Sequence, residues 1–116
     1  MYEFQVIRTA RGELRAQTCI PLGTDRRELR ITTDKGYRGG LECDAQVVQV
    51  SEDGRSYQHA FGLARDGSGD FSKNLATDRT KRATVKAIEA MHRECLALAP
   101  VVLDEARAYY AAQAAA

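Results

Sequence analysis

From residue 2 to residue 64 apolar and polar side chains alternate with period two, and the alternation is broken by short segments that end in glycine. Period two is the spacing of a strand with one wet face, and a slip of one residue would turn every side chain over. The breaks are Ala10-Arg11-Gly12, Asp34-Lys35-Gly36 and Glu52-Asp53-Gly54. A three-residue hairpin loop holds its third residue in the left-handed region, where glycine avoids the steric cost of a β-carbon.

Closing the chain at these loops sets Val6 opposite Ala16, Phe4 opposite Thr18 and Tyr2 opposite Ile20. It sets Leu29 opposite Leu41 and Thr33 opposite Tyr37, then Val47 opposite His59, Ala45 opposite Phe61 and Cys43 opposite Leu63. In all three hairpins the apolar residues share a face. The sequence thus predicts an antiparallel β-meander with strands over 2–8, 13–20, 27–33, 37–50 and 56–64, and a loose turn from Pro21 to Asp25. Phe71 to Leu75, after the loop Asp66-Gly67-Ser68-Gly69-Asp70, would add a sixth strand with Phe71 and Leu75 inward.

The period changes at Thr77. Val85, Ile88, Met91, Cys95 and Leu98 recur at three and four residues, the stripe of an amphipathic helix, with Thr77 or Asp78 as its N-cap. Pro100 lacks a backbone donor and restricts Ala99, so the helix is expected to kink or break there, with Leu103, Ala106 and Tyr110 lining the apolar side of the second segment. A one-sided sheet needs a cover and the helix needs a sheet. The expectation is one α+β domain over 1–116, an antiparallel sheet over 1–76 covered on one face by a helical segment over 77–116.

Composition narrows the function classes. Seventeen Lys plus Arg against sixteen Asp plus Glu exclude a supercharged nucleic-acid binder. The apolar stretch from Leu96 to Leu103 falls far short of the roughly 18 to 20 residues that span a bilayer, so no membrane partner is expected. The first residues show no signal-peptide pattern, and Cys19, Cys43 and Cys95 are odd in number and widely spaced, so a reducing, cytoplasmic setting is expected.

Chemistry-bearing residues are few. His59 falls in the inward row between Tyr57 and Phe61, as a packed imidazole does. His92 and Cys95 lie one helical turn apart but lack the further ligands of a zinc site. Glu42 and Asp44 share the outer face, where nothing desolvates them enough to raise a pKa. No catalytic residues, metal or cofactor are expected.

Two surfaces remain. On the outer face Val48, Val50, Ala60, Gly62 and Ala64 are small and apolar where the pattern calls for polar residues, as in a contact patch. The leading expectation is therefore a non-enzymatic module that binds a protein partner or a second copy of itself, as an inhibitor, adaptor or accessory protein. The alternative is nucleic-acid or anion binding through Arg79, Lys81, Arg82 and Lys86 at the helix start with Arg15, Arg30 and Arg38 from the first two hairpins. Residues 8–38 hold eight basic and four acidic side chains, and 73–93 hold six and two. Against base stacking, Tyr2, Phe4, Tyr37, Tyr57 and Phe61 all fall on the face assigned to the core. A third expectation is a phosphate or nucleotide regulator using the loop at 66–70.

Overall fold

The computed structural model describes residues 2–23, 26–50, 56–57 and 71–115. Six antiparallel strands make one sheet: β1 (Ile7–Arg8), β2 (Leu14–Pro21), β3 (Arg27–Lys35), β4 (Leu41–Val50), β5 (Ser56–Tyr57) and β6 (Ser72–Asp78). Helices α1 (Val85–Leu96) and α2 (Ala99–Ala115) follow. β1 to β5 run in sequence order, and β6 pairs with β4.

The first hairpin closes as the glycine rule requires. Thr9 N donates to Glu13 O at 2.7 Å, Gly12 has φ +83°, and Ile7 lies opposite Arg15, the register expected from a loop at 10–12. Strand pairing stops there. Tyr2, expected opposite Ile20, is exposed, and Phe4 instead turns its ring edge onto His92 at 4.6 Å between centroids.

The second glycine turn lies elsewhere. Leu29 is opposite Val47 rather than Leu41, six residues further along β4, and Thr33 is opposite Cys43 rather than Tyr37. The turn occupies residues 36–40, with Gly36 N donating to Gly40 O at 3.1 Å and Gly39 N to Gly36 O at 2.9 Å. The expected register would have put Gly39 and Gly40 inside a strand, which glycine weakens. The observed one gathers the glycines in the turn and pairs β3 from Arg27 to Lys35. An even displacement preserves parity, so Leu29, Ile31, Leu41, Cys43, Ala45 and Val47 are buried on the expected face.

At the third hairpin Gln49 faces Tyr57 and Val50 faces Ser56, as expected. Further along β4 the partners differ. Ala45 is opposite Lys73 and Cys43 opposite Ala76, because β6 takes that edge, with a bulge between Cys43 and Asp44. His59, Phe61 and Leu63 lie outside the described residues. Phe71 and Leu75 pack against the core.

Because β6 runs on to Asp78, Thr77 and Asp78 are strand residues and cap no helix. Thr84 is the N-cap of α1, its hydroxyl accepting from Ala87 N at 3.2 Å. Thr84→Ala is expected to cost about 1 kcal/mol, read as a lower urea midpoint, and Thr84→Asp to retain most of it. α1 buries Ile88, His92, Cys95 and Leu96, while Val85 and Leu98 of the expected stripe are exposed. The helix breaks at 97–98, and Pro100 lies in the first turn of α2, where its missing donor costs nothing. α2 buries Ala99, Val102, Ala106 and Tyr110, and the Tyr110 hydroxyl accepts from Phe71 N at 2.9 Å, tying α2 to the start of β6.

The core has a polar seam. His92, fully buried, meets Thr18 Oγ1 through Nε2 at 2.9 Å and Thr33 Oγ1 through Nδ1 at 2.8 Å. Burial lowers its pKa from 6.5 to about 4, which keeps the ring neutral. Thr33 also adjoins Cys43, whose thiol is pushed up by its hydrogen bond with Cys95 and by burial. No helix of the described residues is long and apolar enough to cross a membrane.

Candidate functional site at the cationic end of the sheet

The register fixes which loops meet. Arg8 lies opposite Leu14, Lys35 opposite Leu41, and Leu41 opposite Asp78, while the β2–β3 ladder carries Ala16 opposite Thr33, two residues short of Leu14 and Lys35. One row therefore crosses the sheet, and three connections leave from it at the same end: the tip at 10–12, the turn at 36–40 and the link at 79–84. α1 starts there too, because Ile88 packs with Ala16 and Leu41, and Ala83, Ala87 and Leu14 border that cluster.

The link is built locally. Asp78 Oδ1 accepts from Thr80 N at 3.0 Å and from Thr80 Oγ1 at 2.6 Å, a turn that reverses the chain out of β6. These bonds, with the Lys81 charge, hold the Asp78 carboxyl below its ordinary pKa. The 36–40 turn sits directly on this link: a β-carbon at Gly40 would stand 2.5 Å from Asp78 O and closer still to the Arg79 Cα.

Of the basic residues singled out from the sequence, the structure brings Arg38, Arg79, Lys81, Arg82 and Lys86 to this end, all exposed. None of them makes an ion pair among the described residues. Two others do not join them as free cations. Arg15 pairs with Asp34 at 3.1 Å and Arg30 with Glu28 at 2.8 Å, both on the outer sheet face. Asp34 is nonetheless raised in pKa, because burial outweighs Arg15. Arg79, Lys81 and Arg82 precede α1 rather than opposing its dipole from within, and only Lys86 stands in its first turn.

Sequence reasoning missed three cations at this end: Arg8, whose guanidinium donates to Gly12 O at 2.8 Å, Arg11 at the hairpin tip, and Lys35. It also missed Tyr37. Expected on the core face, the ring is 95% exposed in the 36–40 turn. The signal that could have placed it was Gly39-Gly40, a pair better suited to ending a turn than to a strand.

The expected protein-contact patch loses its centre. Val48 is 3% exposed, and Val50 is half-buried. β4 is a central strand, with Glu28 of β3 opposite Val48 and β5 and β6 along its other side. Ala60, Gly62, Ala64 and the 66–70 loop lie outside the described residues. Both ring nitrogens of His92 are taken by threonine hydroxyls, so it does not share a ligand site with Cys95. Among the described residues no three His, Cys, Asp or Glu side chains converge as a metal site would need.

Fold and surface together define a small α+β domain with an antiparallel sheet covered by C-terminal helices and a cation-lined end. Compared with known protein families, curated proteins and solved structures, the chain matches none.

Proposed function

We propose that the protein is a non-enzymatic binding module that holds a nucleic acid by its phosphates at the cationic end of the sheet. The observation that carries this reading is the convergence of Arg38, Arg79, Lys81, Arg82 and Lys86 from separate segments onto one end, where none of them makes an ion pair among the described residues and the one carboxylate that feels their charge is Asp78, beside Lys81. Folding gains nothing by gathering like charges, which repel one another, whereas a polyanion that displaces their counter-ions rewards the arrangement. The outer face offers no comparable attraction, since Arg15 and Arg30 are already neutralised by Asp34 and Glu28.

Fluorescence anisotropy with a labelled mixed-sequence DNA at several salt concentrations tests the proposal. Log affinity is expected to fall linearly with log salt. The double variant Arg79→Gln, Arg82→Gln is expected to lower the slope by about 1.5, while Arg30→Gln leaves it unchanged. An unchanged slope in the double variant would overturn the assignment.

A further inference from the structure

We infer that the nucleic acid held at this end is single-stranded and that the Tyr37 ring stacks on one of its bases, an inference that rests on the phosphate-binding reading above. A phenol ring 95% exposed buries no apolar surface in the fold, so folding does not account for its position. The ring is nevertheless presented on a fixed turn. Gly36 and Gly39 close that turn by backbone hydrogen bonds, and Gly40 seats it against Asp78 and Arg79. The backbone that carries the ring is thus already ordered before a flat ligand lies on it.

Its surroundings select the ligand. Arg38 follows Tyr37 directly, and Arg79 begins the link against which Gly40 of the same turn rests, so the turn that carries the ring adjoins cations able to hold the sugar-phosphate chain of a stacked base. A duplex offers that ring no free base face, because its bases are stacked on one another. Nor does the protein offer a duplex a basic helix. The exposed positions of α1 past its first turn are Ala90, Arg93 and Glu94, a mixed set unlike a major-groove reader. Among the described residues the aromatic rings of α2 do not compete with the turn as a stacking platform: Tyr109 and Tyr110 pack against each other, and Phe71 packs on Tyr109.

The test measures binding of labelled oligothymidylate, oligouridylate and a blunt DNA duplex, each about 15 nucleotides or base pairs long, to the wild-type protein, Tyr37→Ala, Tyr37→Phe and the Arg79→Gln, Arg82→Gln variant. Tyr37→Ala is expected to weaken binding of one or both single strands by about 10- to 100-fold without changing the salt slope or the duplex affinity. Tyr37→Phe keeps the stack and is expected to stay within about threefold of wild type. The two single strands represent DNA and RNA, and binding of either more tightly than the duplex supports the inference. Since Tyr37 touches little of the fold, circular dichroism is expected to be unchanged in both variants. Wild-type affinity in Tyr37→Ala, with weakening in the arginine variant, would overturn the stacking and leave the phosphate reading standing. No salt-sensitive binding of any of the three probes by the wild-type protein would overturn both and leave an acidic protein as the ligand class for this surface.

Discussion

Replacing His92 with alanine is expected to remove about 4 kcal/mol of stability at neutral pH, a large share of the roughly 5 to 15 kcal/mol that holds a domain of this size. The ring fills the seam between α1 and the paired strands β2 and β3, and it is the partner of both Thr18 and Thr33. Alanine leaves a cavity there, and two buried hydroxyls lose their partner together. Urea unfolding at pH 7 reads the loss directly, and a change below about 1 kcal/mol would contradict the packing described here.

The same residue makes stability depend on pH. In the unfolded chain its pKa is the ordinary 6.5, and in the fold burial lowers it to about 4. Between these values the unfolded state binds a proton that the folded state refuses, so stability rises with pH across that window. The contribution is fully present above about pH 6.5, is lost progressively as the pH falls, and is gone near pH 4. Its size is about 3 kcal/mol at most, and ring-proton NMR of His92 should show no titration until the pH approaches 4.

The second large effect is expected at Gly40. Gly39 and Gly40 both have positive φ, +90° and +72°, but their surroundings differ. At Gly39 a β-carbon would meet nothing within 4 Å, so Gly39→Ala carries only the left-handed backbone cost of about 1 to 2 kcal/mol. At Gly40 the new atom would collide with the backbone of Asp78 and Arg79, which no side-chain rotation relieves. The turn must lift away from the link, and Gly40→Ala is expected to lose about 3 kcal/mol or more. It should also weaken oligonucleotide binding, because Tyr37 and Arg38 would no longer be held beside Arg79. A thermal melt in which the two alanine variants lose equal stability would show that the turn does not rest on the link.

Much of the fold is legible in the chain because side-chain parity is a local property. Leu29, Ile31, Cys43 and Ala45 alternate with polar neighbours whichever strand they meet, so their common face follows from spacing alone. The 10–12 turn is legible for a related reason: a three-residue loop with glycine third closes on itself, and the observed pairing of Ile7 with Arg15 needs no distant contact. Helix position was less legible. Thr77 and Asp78 have cap chemistry, but the edge of β4 draws them into β6, where their partners Glu42 and Leu41 are distant in the chain.

The candidate site was legible only as a composition. The basic blocks are visible in the sequence, yet Arg15 and Arg30 stand in them on the same footing as Arg38, Arg79 and Arg82. What separates the two groups is whether a carboxylate on the neighbouring position, Asp34 or Glu28, lies within reach. Tyr37 follows the same logic. Its parity assigns it to the core, and only the turn at 36–40 takes it out of the strand.

By itself, then, the sequence determined which side chains face inward along the sheet, where the first hairpin turns and that a broken helix covers one face. The tertiary structure alone decided how far β3 and β4 slide past each other, which strand fills the second edge of β4, and which cations end as neighbours. The reason is that a slide by an even number of residues leaves every apolar position on its face. The hydrophobic pattern is indifferent to it, and the choice falls to the glycines' aversion to strands and to pairing between distant segments.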